Sequence, residues 1–274
     1  MKRLPIGYQL YSVREEARRD FPGTLSRIAM MGYDGVELAG LHGLSASRAR
    51  GALDECALTA ISSHVPLDAI RADPNQVIKD HLTLGCQYIA VPFLDEPGRP
   101  GMPGFARTLR QMIEFGSMCQ DAGIQLLYHN HDFEFVRVSG QYGLDFMYDC
   151  MPDRLLMAEL DTCWIKYAGE DPADYVTKYA GRCPVVHLKD YVGTNTGGPA
   201  PYALISADGG ATGGDASEFE FRPVGHGCQD IPSIVDASIN AGAHWFVVEQ
   251  DLSVGRTPLA AAKLSIEYLK HIGQ

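Results

Sequence analysis

Eight repeats of a short apolar run followed by a longer amphipathic stretch make this chain read as an α/β protein, a single (β/α)8 barrel. Stretches long enough to cross over between strands imply a parallel sheet, and eight units are the number that closes one. The length agrees: 274 residues suit a barrel that runs to about 250 residues as one unit. The domain assignment is therefore residues 1–274 as one barrel.

Strands are expected at 6–11, 35–38, 60–64, 88–92, 125–131, 155–161, 185–190 and 245–250, and helices at 21–31, 46–56, 74–84, 104–121, 172–179, 231–240 and 258–271. Asp73-Pro74, Asp171-Pro172 and Thr257-Pro258 each set a capping side chain before a proline at the first helical position, and Gly123 and Gly181 suit helix exits. A short helix is expected around 144–150. Residues 193–218, rich in Gly, Ala, Ser, Thr and Asp, lack a period and exceed an ordinary connection, which makes them either a loop over the site or a poorly ordered insertion. Neither G-x-G-x-x-G nor G-x-x-x-x-G-K-[ST] follows the first strand, so no dinucleotide or P-loop nucleotide is suggested.

Composition narrows the function. With 46% hydrophobic and 21% charged residues the chain can build a packed core. Its 34 acidic against 23 basic residues give a net charge of −11, and no basic run exceeds Arg18-Arg19, so no nucleic-acid partner is expected. No apolar stretch is long enough for a membrane span and the N-terminus carries no apolar signal core, so the expectation is a cytoplasmic protein without a membrane partner. The seven cysteines form no C-x-x-C pair and read as reduced, mostly buried thiols.

Active sites of such barrels form at the carboxyl ends of the strands. The later ends read His129-Asn130-His131-Asp132, Glu159-Leu160-Asp161, His187-Leu188-Lys189-Asp190 and Glu249-Gln250-Asp251. The period of two puts alternate residues on one face, so four consecutive strands can each send a His, Asp or Glu inward. His129, Asp161, His187 and Glu249 together offer two imidazoles and two carboxylates, a mixed sphere suited to one divalent ion, Mn, Co, Fe, Zn or Mg. His131 and Glu159 are expected to orient those ligands by hydrogen bonds. Among the earlier strand ends, Gln9, Glu37 and His64 are expected to line a substrate pocket, with a buried, paired carboxylate as the other reading of Glu37. Trp164 would stack on a sugar or wall the pocket.

Several segments resemble the sugar phosphate isomerase/epimerase family of the xylose isomerase-like TIM barrel superfamily: Gly7-Tyr8-Gln9-Leu10-Tyr11-Ser12-Val13-Arg14, Gly32-Tyr33-Asp34-Gly35-Val36-Glu37, Tyr128-His129-Asn130-His131-Asp132-Phe133-Glu134-Phe135, Glu159-Leu160-Asp161-Thr162 with Trp164, and His187-Leu188-Lys189-Asp190. The resemblance implies one divalent metal held from strands five to eight, here by His129, Asp161, His187 and Glu249. In the ketose epimerases of that superfamily a glutamate stands where this chain has His129, and a histidine shortly follows the strand-six aspartate, where this chain reads Asp161-Thr162-Cys163-Trp164. Both departures tell against the symmetric two-glutamate epimerase mechanism, and one carboxylate with one nitrogen base suits a one-sided proton transfer, such as aldose–ketose isomerisation or β-elimination, at least as well.

The function expected is a metal-dependent isomerase or epimerase acting on a small carbohydrate, a sugar, keto-sugar or cyclitol, by removing a proton next to a carbonyl. Glu249 is the expected base, with His131 and His129 as alternatives. Lys189 would donate to a substrate oxygen, or else pair structurally with Asp190 or Glu159. A lyase acting on an inosose or a 3-keto-glycoside begins with the same proton loss. Abasic-site DNA cleavage would need three clustered metals and a basic face, and a non-catalytic sugar-binding barrel would exchange no proton. Homo-oligomerisation is compatible with this reading.

Overall fold

In a computed structural model, which describes residues 3–194 and 219–274, eight parallel strands form a nearly closed barrel with helices between them. The strands are β1 (Ile6–Gln9), β2 (Gly35–Leu38), β3 (Thr59–Ser63), β4 (Tyr88–Val91), β5 (Gln125–His129), β6 (Met157–Asp161), β7 (Val185–Leu188) and β8 (Trp245–Val248). Each pairs in parallel with its sequence neighbour, and β8 pairs with β1 through Ile6 opposite Phe246. The seam between β3 and β4 is the exception: a lone bridge joins His64 to Ala90, with the Val65 amide donating to Ala90 O at 2.9 Å and the Gln87 amide to Ile61 O at 3.2 Å.

Both faces of a parallel barrel sheet are buried, so its strands are apolar almost throughout. Alternate residues Ile61, Tyr88, Ala90, Leu127, Val185 and Val247 fill the barrel, with Met157 and Trp245 packed against them. Space there is tight: a Cβ on Gly7 of β1 would run into Ile61 Cδ1. A larger apolar layer joins the outer strand faces to the helices. Between Val36 and Glu37 the β2–β3 register slips by one residue, setting Ser62 opposite Glu37. Such a bulge re-aims side chains. It lets Ser62 Oγ donate to Glu37 while its neighbour Ile61 packs inside the barrel.

The capped helices form as their sequence signals require. Asp73 Oδ1 accepts from the Gln76 amide at 2.9 Å, Asp171 Oδ1 from Ala173 at 2.8 Å and Thr257 Oγ1 from Ala260 at 3.2 Å, opening Pro74–Leu84, Pro172–Lys178 and Pro258–His271. Gly123 and Gly181 take φ values of +75° and +77° just beyond helix ends. The short helix expected near 144–150 spans Gly143–Asp149. Past β7, Asp190–Val192 pairs antiparallel with Glu220–Arg222. From residue 195 on, the segment expected at 193–218 lies outside the described residues. Among the described residues no helix is long and apolar enough to cross a membrane, and all seven cysteines are free, four of them buried.

Candidate active site

The inward alternation of β5 to β8 brings the predicted ligands together. One donor atom from each of His129, Asp161, His187 and Glu249 lies within 4.8 Å of the others, and all four residues are buried. A second set, His64, His129, Glu159 and His187, meets the same distance condition and shares two imidazoles with the first.

Local structure decides which atoms face the centre. Asp161 ends β6 and caps the helix Thr162–Tyr167, its Oδ1 accepting from the amides of Cys163 at 2.8 Å and Trp164 at 3.2 Å. Its Oδ2 is left toward the cluster, 3.4 Å from His129 Nε2 and 3.5 Å from Lys189 Nζ. Neither His129 nitrogen makes a directed hydrogen bond among the described residues. His187 Nδ1 lies 3.2 Å from Glu249 Oε2, while its Nε2 lies 2.7 Å from Glu37 Oε2 and 3.3 Å from Glu159 Oε1.

Lys189 does not pair with Asp190 or Glu159. Its ammonium sits 2.7 Å from Asp251, 3.1 Å from Glu249 and 3.5 Å from Asp161. The rings of Trp164 and Phe221 stand 5.1 and 5.2 Å away. Asp190 points elsewhere: its carboxylate accepts from the amides of Tyr191, Gly225, Gly227 and Gln229, fastening the return of the chain after β7.

Five carboxyl groups, Glu37, Glu159, Asp161, Glu249 and Asp251, converge on one ammonium and three imidazoles. Burial opposes ionisation of Glu249, yet Lys189, His129 and His187 hold its carboxyl well below the usual carboxylate range. Burial would likewise strip the proton from Lys189, but Asp251, Glu249 and Asp161 outweigh it and keep the ammonium charged. Glu37 and Glu159 overcome the burial of His64 and raise it to about 10; the same pair carries His187 well above its ordinary value. Burial, with His129 and Lys189 nearby, pushes His131 well below its ordinary value, so that ring is neutral.

These residues fit a divalent ion. Ligating imidazoles must be neutral and ligating carboxyls ionised, so an ion would replace the protons that the carboxylates now draw onto His129 and His187. The donor atoms without directed hydrogen bonds, among them both His129 nitrogens, His187 Nε2 and Asp161 Oδ2, are the ones that an ion would satisfy.

Above the cluster opens a cavity of about 650 Å³, into which His64, His129, His131, Lys189, Glu249 and Asp251 project. His131 is sandwiched between Phe133 and Trp164, with ring centroids 5.5 and 5.2 Å away. Of the four residues expected to touch substrate, His64 lines the cavity, whereas Gln9, Glu37 and Trp164 are fully buried and stand outside its lining. Gln9 Nε2 donates to Glu37 Oε2 at 2.6 Å, so these two brace each other beneath His64 and His187.

Sequence reasoning passed over other supports. Asn130 Oδ1 accepts from the Asp161 amide at 2.9 Å, tying β5 to β6. Glu134 accepts from Tyr128 Oη and from the His131 amide, fixing the turn that presents His131. Asp251 holds Lys189. Besides its two histidines the run 129–134 carries three polar side chains, Asn130, Asp132 and Glu134, a density that could have singled out Asn130 and Glu134.

Comparison with known proteins bears on the fold and the family. Inosose dehydratase from Clostridium perfringens is 30% identical over 85 residues, 31% of this chain; the match spans only 28% of that protein's length. The structure of a sugar phosphate isomerase/epimerase from Parabacteroides distasonis superposes with a TM-score of 0.77 at 20% identity, covering 98% of this chain and 94% of the other. A xylose isomerase-like TIM barrel protein from Mycobacterium smegmatis, solved in complex with magnesium, gives a TM-score of 0.70 at 16% identity over 98% and 96% of the two chains. The family model for the xylose isomerase-like TIM barrel matches residues 25–272, and the chain belongs to that family.

Proposed function

We propose that the protein is a divalent-metal-dependent isomerase or epimerase that acts on a sugar, keto-sugar or cyclitol by removing a proton next to its carbonyl. The observation that carries this reading is the environment of Glu249. Its Oε2 lies 3.1 Å from a buried ammonium and 3.2 Å from His187, at the floor of a cavity, ionised despite burial. Glu249 takes the α-proton. Lys189, gripped by Asp251, donates to the substrate oxygen on which negative charge develops, and being buried and already oriented it needs no reorganisation to do so. The neutral His131 ring, locked between two aromatic faces, orients a substrate hydroxyl. His129, Asp161, His187 and Glu249 would hold the ion, whose chemistry when bound is to polarise the carbonyl and the neighbouring hydroxyl. The magnesium of the Mycobacterium smegmatis protein and the sugar-directed names of the other relatives support this reading.

Solvent deuterium exchange tests it. Keto-sugars incubated with metal-loaded protein in D2O should gain deuterium at the α-carbon, and chelation should stop the gain. No exchange with any of Mn, Co, Fe, Zn or Mg would remove the assignment. Loss of a β-substituent in the same assay would move the reaction to elimination.

A further inference from the structure

The cavity has two unlike ends. One is the charged barrel mouth; the other is an arm that runs away from it over the ends of β2 and β3. Leu41, Val65, Pro66 and Ala69 form its sides, and Val77 and Leu84, from the inward face of the helix Pro74–Leu84, form its floor. A bare inosose or hexose carries hydroxyls on every side, whereas this arm is lined mostly by apolar side chains, with Asp80 at one edge. The cavity volume of about 650 Å³ lies in the range that takes a drug-sized ligand, well beyond a single sugar ring.

Two polar side chains of the helix Pro74–Leu84 break the apolar lining: Asp80, which accepts from Gln76 Nε2 at 2.8 Å, and His81. His81, 6% exposed, also borders the arm, and its Nδ1 lies 2.6 Å from Val77 O. A carbonyl only accepts, so Nδ1 carries the proton and Nε2 is left as an acceptor; it has no hydrogen-bond partner among the described residues. That nitrogen is sealed from the cavity, so His81 borders the arm with its ring and not with a free acceptor.

We infer that the substrate is a sugar bearing an apolar, ring-sized substituent, the sugar lying over the charged cluster and the ring in the arm between Leu41 and Val77. This rests on the sugar-directed reading above and narrows it to glycosides. It also sets the substrate apart from a free inosose.

Calorimetric titration of the protein with methyl and phenyl β-D-glucoside tests the arm without any turnover, because neither has a carbonyl. Phenyl glucoside should bind at least about tenfold tighter than methyl glucoside, the difference that about 1.4 kcal/mol gives. Ala69→Glu, at an exposed position on the short helix Leu67–Ala72, should erase that difference by placing a charge in the arm, and Leu41→Asp, on a loop, should repeat the result independently. Equal affinity for the methyl and phenyl compounds, or binding of neither at millimolar concentration, overturns the arm. Deuterium exchange on an unsubstituted keto-sugar is read in parallel. Exchange without the affinity difference would leave the reaction standing and remove the arm, and the affinity difference without exchange on any keto-sugar would do the reverse.

Discussion

The two sides of the barrel mouth are built on opposite principles. From β5 to β8 every strand ends in a charged or imidazole side chain, the ladder is continuous, and side chains from one strand brace those of the next: Asn130 on the Asp161 amide, Lys189 on Glu249. From β2 to β4 the ends are Ala39, Val65 and Phe93, the ladder thins to one bridge, and the helices lean in to make an apolar groove. Glu37 and His64 are the exceptions, and both turn toward the charged side. The difference teaches how such a barrel divides its labour: convergence and electrostatics on one side, shape on the other.

The largest effect that would sharpen this contrast is on turnover. Glu249→Gln keeps size and one donor oxygen, and it should lower α-proton exchange by roughly 10² to 10⁴, the worth of a placed general base. Metal content measured on the same sample should stay near wild type; loss of metal with no separate chemical defect would make Glu249 a ligand alone. Next comes the ion. Asp161→Ala or His187→Ala should abolish binding of Mn or Co and exchange together, and chelation of the wild type should lower its Tm, because an ion bound only by the folded state stabilises it. Full metal occupancy in both variants would break the assignment of the charged side.

Stability effects follow. Lys189→Met leaves Asp251 and Glu249 facing each other without their cation and should cost about 3–5 kcal/mol in denaturant unfolding, the range for a broken buried pair. A loss under 1 kcal/mol would show that the carboxyls take up protons instead. The smallest effect belongs to the apolar side: Asp73→Ala removes the cap of the helix that floors the arm and should cost about 1 kcal/mol while leaving metal content untouched.

The parts of this design that repeat were legible in the sequence. Strands of four or five residues showed because each is an apolar run, and the helices at 74–84, 172–178 and 258–271 showed because a cap and a proline mark their starts. The helices Arg14–Arg19, Leu67–Ala72 and Thr162–Tyr167 did not, since six residues hold less than two turns and no period emerges from them. The four strand-end donors were readable because alternation alone selects the inward face. Their partners were not. Asp251 and Asp190 are both acidic and both stand near Lys189 in the sequence or in the barrel, but only the course of the chain after β7 turns Asp190 onto four amides and leaves Lys189 to Asp251. The slip between Val36 and Glu37, which sets Ser62 against Glu37, leaves no mark in a pattern of period two.

The lone bridge between β3 and β4 has a kinetic side. Elsewhere in the barrel a strand can leave only by breaking a ladder of several bonds, whereas here the Val65 and Gln87 amides are held by one bond each. Hydrogen exchange should therefore begin at this seam and reach β5 to β8 only on global unfolding. Val65 also lines the arm, so a molecule seated there would cover that end of the seam, slowing exchange at the Val65 amide before it changes anything at the charged centre.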